Sequence, residues 1–195
     1  MRLVIVRHGA TAGNEAHRYV GRRTDEPLSD AGRLQCLAAG VYPQVSRVYV
    51  SSLLRARQTA EICFPAALQV VVPGIEEFDF GVFEGRTADE MADDVRYRAW
   101  VESGCVMPCP GGDAREEFAR RTKDALYRLL REASARQEEL VVVVAHGGTI
   151  MAALDGFYHK HANNCEGYVA RVLMAGKRVL LVDDRPIQLS ACFGN

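Results

Sequence analysis

The sequence predicts an α/β protein, a three-layer α/β/α sandwich in which helices cover both faces of a mostly parallel central sheet. Short apolar runs alternate along the chain with segments whose apolar residues recur at helical spacing, which is typical of this class. The run Leu140–Ala145 is apolar throughout, as expected of a strand buried on both faces at the centre of a parallel sheet. The runs 168–174 and 178–182, joined at Ala175-Gly176, predict a β-hairpin that makes part of the sheet antiparallel.

The first strand and the helix that follows it enclose a long connection. A strand over 3–7 runs into Arg7-His8-Gly9, and residues 10–29, rich in Gly, Arg and Asn, form a predicted loop of a length that usually serves function. Ser29 is predicted as the N-cap of a helix whose apolar residues recur at helical spacing. That apolar face comprises Leu34, Leu37, Ala38 and Val41.

The rest of the chain continues the alternation of strands and helices. A second strand is predicted over 45–50 and a third over 68–72, separated by a helix over 53–63 that the pair Ser51-Ser52 caps. The irregular residues 75–85 follow the third strand. A capping box at 87–90 is predicted to open a short helix. Further helices are predicted over 93–103, 113–135 and 150–154.

The first strand and the central strand end in the same pair of residues. His8-Gly9 follows one strand, and His146-Gly147 follows the other. Because ligands of open α/β sheets bind beyond the carboxyl ends of the strands, both imidazoles face one crevice if the strands are parallel neighbours. Glycine lets a ligand approach the backbone closely, and unpaired amides at Gly147-Gly148-Thr149 suit an anion. The pattern predicts a functional histidine pair rather than two structural histidines.

Arginine and glutamate side chains are candidate partners of the two histidines. Arg7 precedes His8, and Arg55 lies in the first turn of the helix after the second strand, where a guanidinium fork suits phosphate. Arg57, about 200° further around that helix, is predicted to face solvent. A carboxyl held against the aromatic residues of 75–85 keeps its proton longer, which suits a general acid. The candidates are Glu76, Glu77 and Glu84, and the residues alone do not separate them.

Composition and charge narrow the classes of function and partner. The formal net charge of -1 gives no global electrostatic case for nucleic acid or an anionic membrane, and no apolar run approaches the roughly 18 residues of a membrane span. The chain starts with a core strand and without a signal peptide, so we expect a cytoplasmic protein whose six cysteines are reduced. Cys105 and Cys109 have no second pair at zinc-site spacing, so we expect no metal site.

The length of 195 residues predicts one domain over 1–195.

Specific motifs extend these candidates over nearly the whole chain. They are Arg7-His8-Gly9-x-Thr11-x-x-Asn14, Gly21, Pro27-Leu28-Ser29-x-x-Gly32, Ser51-Ser52-x-x-Arg55-Ala56-x-Gln58-Thr59-Ala60, Glu77-x-Asp79-Phe80-Gly81-x-Phe83-Glu84-Gly85 and Ala145-His146-Gly147-Gly148. In this order they resemble the histidine phosphatase superfamily, in its phosphoglycerate-mutase-like branch. The chain departs from the family at Gly13 and Phe83, where the family often has Trp, and both departures bear on the shape of the pocket.

The resemblance implies a reaction and a role for each matched residue. His8 would attack phosphorus to form a phosphohistidine, while the catalytic residues Arg7, Arg55 and His146 surround the phosphoryl oxygens. Glu77 would protonate the leaving oxygen and then activate the attacking water. The resemblance also implies no metal or other cofactor. The implied substrate-binding residues are Asn14, Thr11, Gly21 and Gly147.

The family contains both phosphatases and mutases, and the segment after the glutamate motif favours a phosphatase. Glycolytic mutases carry a longer insertion there with a basic cluster, whereas the short segment 86–112 holds only Arg86, Arg96 and Arg98. The run Pro110-Gly111-Gly112-Asp113-x-x-x-Glu117-Phe118-x-x-Arg121 most resembles small bacterial α-ribazole phosphatases, which act in cobalamin biosynthesis. The predicted partner is therefore a small phosphate ester, with no nucleic acid or membrane.

Several alternatives stay open at this stage. A phosphoglycerate mutase is the second candidate, followed by a metallohydrolase that uses His8 and His146 and by a phosphate-binding module without activity. The oligomeric state, monomer or homodimer, is open. Residues 156–167 are predicted as a surface loop rather than as part of the pocket, and substrate choice is assigned to 10–25 and 86–112.

Overall fold

A six-stranded sheet lies at the centre of the fold. The structure describes residues 1–157, 159–176 and 178–193, without the side chain of Cys192. In this computed structural model the strands are β1 (Arg2–Arg7), β2 (Arg47–Val50), β3 (Leu68–Val71), β4 (Leu140–Ala145), β5 (Glu166–Ala175) and β6 (Arg178–Gln188). Their order is β3-β2-β4-β1-β5-β6; the first four are parallel, and β5 pairs antiparallel with β1 and β6. The loop predicted over 156–167 includes Tyr158, and the six cysteines predicted to be reduced include Cys192. Tyr158 and the Cys192 thiol lie outside the described residues.

Helices cover both faces of the sheet, which confirms the predicted three-layer α/β/α class. One apolar cluster joins one face of the sheet to α5 and α6, and a second joins the other face to α2, α3 and α7. Single 3₁₀ turns lie at Gly81–Phe83 and Asp89–Met91. The helices are α1 (Ala12–Glu15), α2 (Asp30–Ala39), α3 (Leu54–Cys63), α4 (Val95–Glu102), α5 (Arg115–Ala135), α6 (Gly147–Ala153) and α7 (Leu189–Phe193).

The central pair β1 and β4 carries the deepest burial, because each strand contributes side chains to both faces. Leu3 and Ile5 of β1 pack towards α5, whereas Val4 and Val6 pack towards α2 and α3. Each fully buried aliphatic side chain contributes about 1.5–3 kcal/mol. The register pairs Arg7 with Ala145, so both strands end at the same level of the sheet.

The predicted apolar face of α2 is wrong, since the helix turns its smallest residues to the core. Leu34 and Leu37 are 66% and 54% exposed, and the buried residues of the helix are Gly32 and Cys36. A Cβ on Gly32 would lie 1.9 Å from the carbonyl oxygen of Ala10, so only glycine permits this close approach. Backbone packing therefore overrides the leucine pattern.

The predicted capping of α3 by serines is also wrong. The helix has Leu53 at its N-cap without a side-chain cap, and Asp25 of the long connection accepts a 2.6 Å bond from Leu54 N instead. Ser51 Oγ accepts only a long 3.4 Å bond from Leu53 N. Ser52 Oγ donates to Glu76 Oε1 at 3.1 Å. The helix start is thus fixed by a distant carboxylate, which no local pattern could indicate.

Candidate active site

The ends of β1 and β4 bring two buried histidines together. His8 N donates to Ala145 O at 3.0 Å, so His8 leaves the sheet directly beside the residue that precedes His146. The two rings lie edge to face with centroids 5.1 Å apart. The prediction that β1 and β4 are parallel neighbours and bring the two imidazoles together is confirmed, although neither ring is among the residues that line the cavity described below.

Hydrogen bonds fix which nitrogen of His8 carries the proton. His8 Nδ1 lies 2.6 Å from Gly9 O and must donate there, because a carbonyl oxygen only accepts. The unprotonated Nε2 accepts from Arg55 Nε at 3.2 Å. Burial, followed by the positive charge of Arg55, holds the pKa of His8 well below its usual value. His8 is therefore a neutral imidazole, and its unprotonated Nε2 carries the lone pair that Arg55 contacts.

Arg55 is fully buried and held by the connection between β1 and α2. Its Nη1 donates to Thr24 O at 2.7 Å and its Nη2 to Gly21 O at 3.1 Å. Burial lowers the pKa of Arg55, and the negative charge of Glu77 acts most strongly in the opposite direction. Arg57, as predicted, is exposed. The fixed guanidinium places a positive charge directly against the reactive nitrogen of His8.

Two buried polar atoms beside His8 find no hydrogen-bond partner within the described residues. They are Arg7 Nε and His146 Nδ1. One other nitrogen of each side chain is bonded: Arg7 Nη1 donates to Ala162 O at 3.0 Å, and His146 Nε2 lies 2.8 Å from Ser51 Oγ. Burial lowers the pKa of His146 well below its usual value, so the ring is neutral. Since unpaired buried polar atoms are costly, a ligand that hydrogen-bonds to both atoms would relieve that cost.

The structure separates the three candidate glutamates. Glu77 lines the cavity beside Arg7, and its Oε2 accepts from Gly148 N at 3.0 Å. Burial raises the pKa of Glu77, against two backbone hydrogen bonds that lower it. Glu76 instead pairs with Arg121, while Glu84 accepts from Gly21 N at 3.0 Å. Of the three, only Glu77 lines the cavity, and its raised pKa suits a proton donor.

A cavity of about 600 Å³ opens beside these groups and has two chemically different parts. Arg7, Asn14, Gly147, Gly148 and Glu77 form a polar end. Arg18, Arg115 and His161 also line the cavity. The remaining wall is largely aromatic and comprises Tyr19, Phe78, Phe80, Trp100, Phe118 and Phe157. This volume lies in the range of small-molecule sites.

Among the predicted substrate-binding residues, Asn14 and Gly147 line the cavity and Thr11 and Gly21 do not. Thr11 is the N-cap of α1, and its Oγ1 accepts from Asn14 N at 3.2 Å. Asn14 returns the bond through Oδ1, which accepts from Thr11 N at 3.3 Å. Gly21 contributes the carbonyl that holds Arg55. Thr11 and Gly21 therefore position other residues of the site.

The prediction of a surface loop over 156–167 is wrong, because this segment forms one side of the cavity. Phe157, His161 and Asn163 line it. Asn164 Nδ2 donates to His8 O at 2.9 Å. β5 is antiparallel to β1, and Val6 pairs with Gly167, so β5 begins at the edge of the sheet where β1 ends. The residues that lead into β5 therefore lie at that edge, beside His8. The hairpin predicted from the sequence was the signal that could have placed this segment.

No group of three His, Cys, Asp or Glu side chains that could hold a metal ion occurs within 1–157, 159–176 and 178–193. In the same residues no helix has both the length and the apolar character needed to cross a membrane.

Comparison with known proteins gives consistent matches. A family model for the histidine phosphatase superfamily (branch 1) matches residues 3–171. The chain is 37% identical over 136 residues to fructose-2,6-bisphosphatase TIGAR B of Danio rerio, covering 65% of this chain and 52% of that protein, so it spans about half of that relative. It is 35% identical over 164 residues to 2,3-bisphosphoglycerate-dependent phosphoglycerate mutase 2 of Gloeobacter violaceus, covering 78% and 73%.

A solved structure from Escherichia coli K-12 has a similar fold. It belongs to a protein proposed to be an alpha-ribazole-5'-P phosphatase and superposes with a TM-score of 0.73 at 25% identity, covering 93% of this chain and 94% of that one.

Proposed function

The chain belongs to the histidine phosphatase superfamily, and from this premise we propose that it hydrolyses small phosphate monoesters, without a metal ion, through a phosphohistidine on His8. The observation that carries the proposal is the state of His8. Its Nδ1 proton is held by Gly9 O, so Nε2 is the unprotonated nitrogen, and it lies against the Arg55 guanidinium. A neutral imidazole fixed in this tautomer is an activated nucleophile.

In the first step Nε2 of His8 attacks phosphorus, and the bond from phosphorus to the ester oxygen breaks. Arg7, Arg55 and His146 stabilise the charge on the phosphoryl oxygens through donors that are already in place. The unpartnered Arg7 Nε supports this role. Glu77, whose pKa is raised by burial, gives its proton to the leaving oxygen.

In the second step a water molecule attacks the phosphohistidine on the side that the leaving alcohol has vacated. The Glu77 carboxylate, now ionised, takes one proton from that water. The bond from Nε2 to phosphorus breaks, inorganic phosphate leaves, and His8 returns to its neutral state. Gly148 N, which donates to Glu77 at 3.0 Å, supports the ionised form during this step.

The aromatic wall supports a leaving group that carries a flat ring, and α-ribazole phosphate is the substrate that we propose to test first. Tyr19, Phe80 and Trp100 lie at the part of the cavity formed by the long connection and α4. A ring that packs on these side chains buries apolar area, whereas a short polar acid such as 3-phosphoglycerate does not. The family motifs at 110–121 and the similar Escherichia coli fold support the same choice.

A phosphoglycerate mutase is the second candidate. Arg18 and Arg115 line the cavity and would suit a second anionic group, which favours this reaction. Arg18, however, is paired with Glu90 at 3.0 Å, and Arg115 stacks on Phe157 with its guanidinium carbon 4.3 Å from the ring centroid. Both cations are thus already engaged, which favours the phosphatase.

Rapid denaturation during turnover of a ³²P-labelled monoester tests the proposal. We expect label on the protein that is stable in base and labile in acid, absent from His8→Ala, and unaffected by a chelator. Faster transfer to glycerate positions than to water would identify the mutase. Wild-type turnover without any bound label would contradict the phosphohistidine.

A further inference from the structure

Three buried thiols lie directly beneath the site and take no part in the proposed reaction. Cys36 Sγ and Cys165 Sγ are 3.5 Å apart, although 129 residues separate them in the chain. Cys63 Sγ donates to Cys36 O at 3.5 Å, so the third thiol also contacts Cys36. Cys36 is fully buried, whereas Cys165 keeps 5% of its surface exposed. Two thiols of different layers therefore meet in van der Waals contact.

Cys36 and Cys165 both contact the backbone around His8. A Cβ on Gly9 would lie 2.6 Å from Cys36 Sγ, so this sulfur packs against the glycine whose carbonyl holds the His8 proton. Cys165 N donates to Arg7 O at 3.0 Å and more weakly to His8 O at 3.4 Å. The segment 7–9 thus contacts both cysteines.

We propose that Cys36 and Cys165 form a reversible disulfide when a peroxide oxidises the protein, and that this disulfide switches the site off. A disulfide has an S–S length of about 2.05 Å, so the sulfurs must approach one another by about 1.5 Å. That approach moves Cys36 away from Gly9 or pulls Cys165 away from Arg7 O. Either change shifts the support of His8, which then no longer holds its Nε2 at the position of attack.

The chemistry balances with one peroxide for each disulfide. One thiol of the pair, deprotonated as it reacts, attacks a peroxide oxygen, which breaks the O–O bond and leaves a sulfenic acid and water. The other thiol then attacks that sulfur, the S–S bond forms, and the hydroxyl group leaves as water. The two thiols lose two electrons and two protons in total, and hydrogen peroxide is reduced to two water molecules. A dithiol reductant reverses the change by exchange.

Peptide mapping under non-reducing conditions tests the cross-link without any reference to turnover. After hydrogen peroxide treatment of the full chain, we expect a peptide that joins Cys36 to Cys165 and that disappears with dithiothreitol. Orthovanadate, a phosphate-like probe, should bind more weakly to the oxidised protein. The rate of monoester hydrolysis should fall about 100-fold, the effect of displacing a reacting group by roughly 1 Å.

Matched serine variants assign the effect to one pair. Cys36→Ser and Cys165→Ser should keep vanadate binding after oxidation, whereas Cys63→Ser, from the same cluster, should still lose it. Where a serine variant does not fold, the wild-type map alone decides the pairing. Absence of the Cys36–Cys165 peptide overturns the proposal, as does a cross-linked protein with unchanged vanadate affinity. Neither the peptide map nor vanadate binding needs turnover. A protein that does not hydrolyse monoesters can therefore still pass or fail this test.

Discussion

At the scale of single residues, Gly148 sets the space in which Glu77 works. A Cβ at this position would lie 2.2 Å from Glu77 Oε1, a distance that the carboxylate can relieve only by moving away. The neighbouring Gly147 is a matched control, because its Cβ would meet nothing closer than Arg7 Nε at 3.7 Å. An added methyl group would therefore displace the Glu77 carboxylate at position 148 but not at position 147.

Gly148→Ala should reduce kcat by about 100-fold, because the displaced carboxyl no longer reaches the leaving oxygen. Gly147→Ala leaves Glu77 in place and should keep kcat within about threefold, and because Gly147 lines the cavity beside Arg7, any loss should appear in KM. Steady-state kinetics with one monoester and circular dichroism of both folded variants provide the measurement. Equal activity of the two variants would mean that Glu77 is not the proton donor.

The pH dependence of the reaction follows from the opposite pKa shifts of His8 and Glu77. His8 must be neutral, and its lowered pKa keeps it so until the pH falls well below its usual range. Glu77 must be protonated, and its raised pKa extends this state upward in pH. The rate of the first step should therefore fall on the acid side through His8 and on the alkaline side through Glu77.

Glu77→Gln should remove the alkaline limb of the profile of kcat/KM against pH. It should slow alkyl phosphates by about 10²–10⁴-fold, and p-nitrophenyl phosphate far less, because only a poor leaving group needs the proton. Glu76→Gln, one residue away and outside the cavity, should retain both limbs. An unchanged profile in Glu77→Gln, with equal losses for both substrates, would assign the acid to another group.

At the scale of elements, the long connection after β1 is held in place by carboxylates from the segment that carries Glu77. Glu84 accepts from Gly21 N and from Thr24 Oγ1, at 3.0 and 2.7 Å. The carbonyls of the same two residues hold Arg55. Asp79 pairs with Arg23 of the connection at 2.9 Å. The loop is thus part of the support for the His8 partner, which explains why an apparently irregular stretch carries so many fixed contacts.

The helices α2 and α5 give opposite outcomes for apolar patterns that look alike in sequence. Leu130→Ala in α5 should cost about 2–5 kcal/mol of unfolding free energy, because Leu130 is fully buried. Leu34→Ala in α2 should change it by about 0.5 kcal/mol or less, since Leu34 is 66% exposed. Urea unfolding of both variants provides the measurement. A loss above 2 kcal/mol in Leu34→Ala would show that Leu34 packs in the core, as the sequence predicts.

What the sequence could predict was local, and what it missed depended on distant contacts. The strands that end at His8 and His146 carry their own signals, apolar runs closed by His-Gly. The capping box at 87–90 is present as well, with Glu90 N donating to Thr87 Oγ1 at 3.2 Å, although it opens only a 3₁₀ turn. The choice of Glu77 among the three glutamates came from the resemblance to the family motif and not from local physical chemistry. The Asp25 cap of α3 depends on a residue far away in the chain, so no spacing could indicate it.

At the scale of the whole molecule, a chain of almost balanced charge concentrates positive charge in its centre. The formal net charge is -1, yet Arg55 is fully buried beside His8 and Arg7 lies close by. Burial lowers the pKa of both arginines, and Glu77 is the first negative charge acting on either of them. Buried charges without full compensation cost stability. The fold therefore carries a local cost that an oxyanion would relieve. The single domain over 1–195 and the cytoplasmic location stay predictions.

Inorganic phosphate should consequently stabilise the whole fold. At 100 times its Kd, a ligand that binds only the native state contributes about 2.7 kcal/mol, and a chain of this size gains about 2–4 °C for each kcal/mol. We expect the Tm to rise by about 5–10 °C in phosphate over sodium chloride of equal ionic strength. Arg7→Met should lose most of this rise, whereas Arg57→Met, at an exposed position, should keep it. An equal rise in chloride would show that screening of surface charge, and not the buried cations, accounts for the effect, because a bound oxyanion acts through Arg7 and Arg55 and simple salt does not.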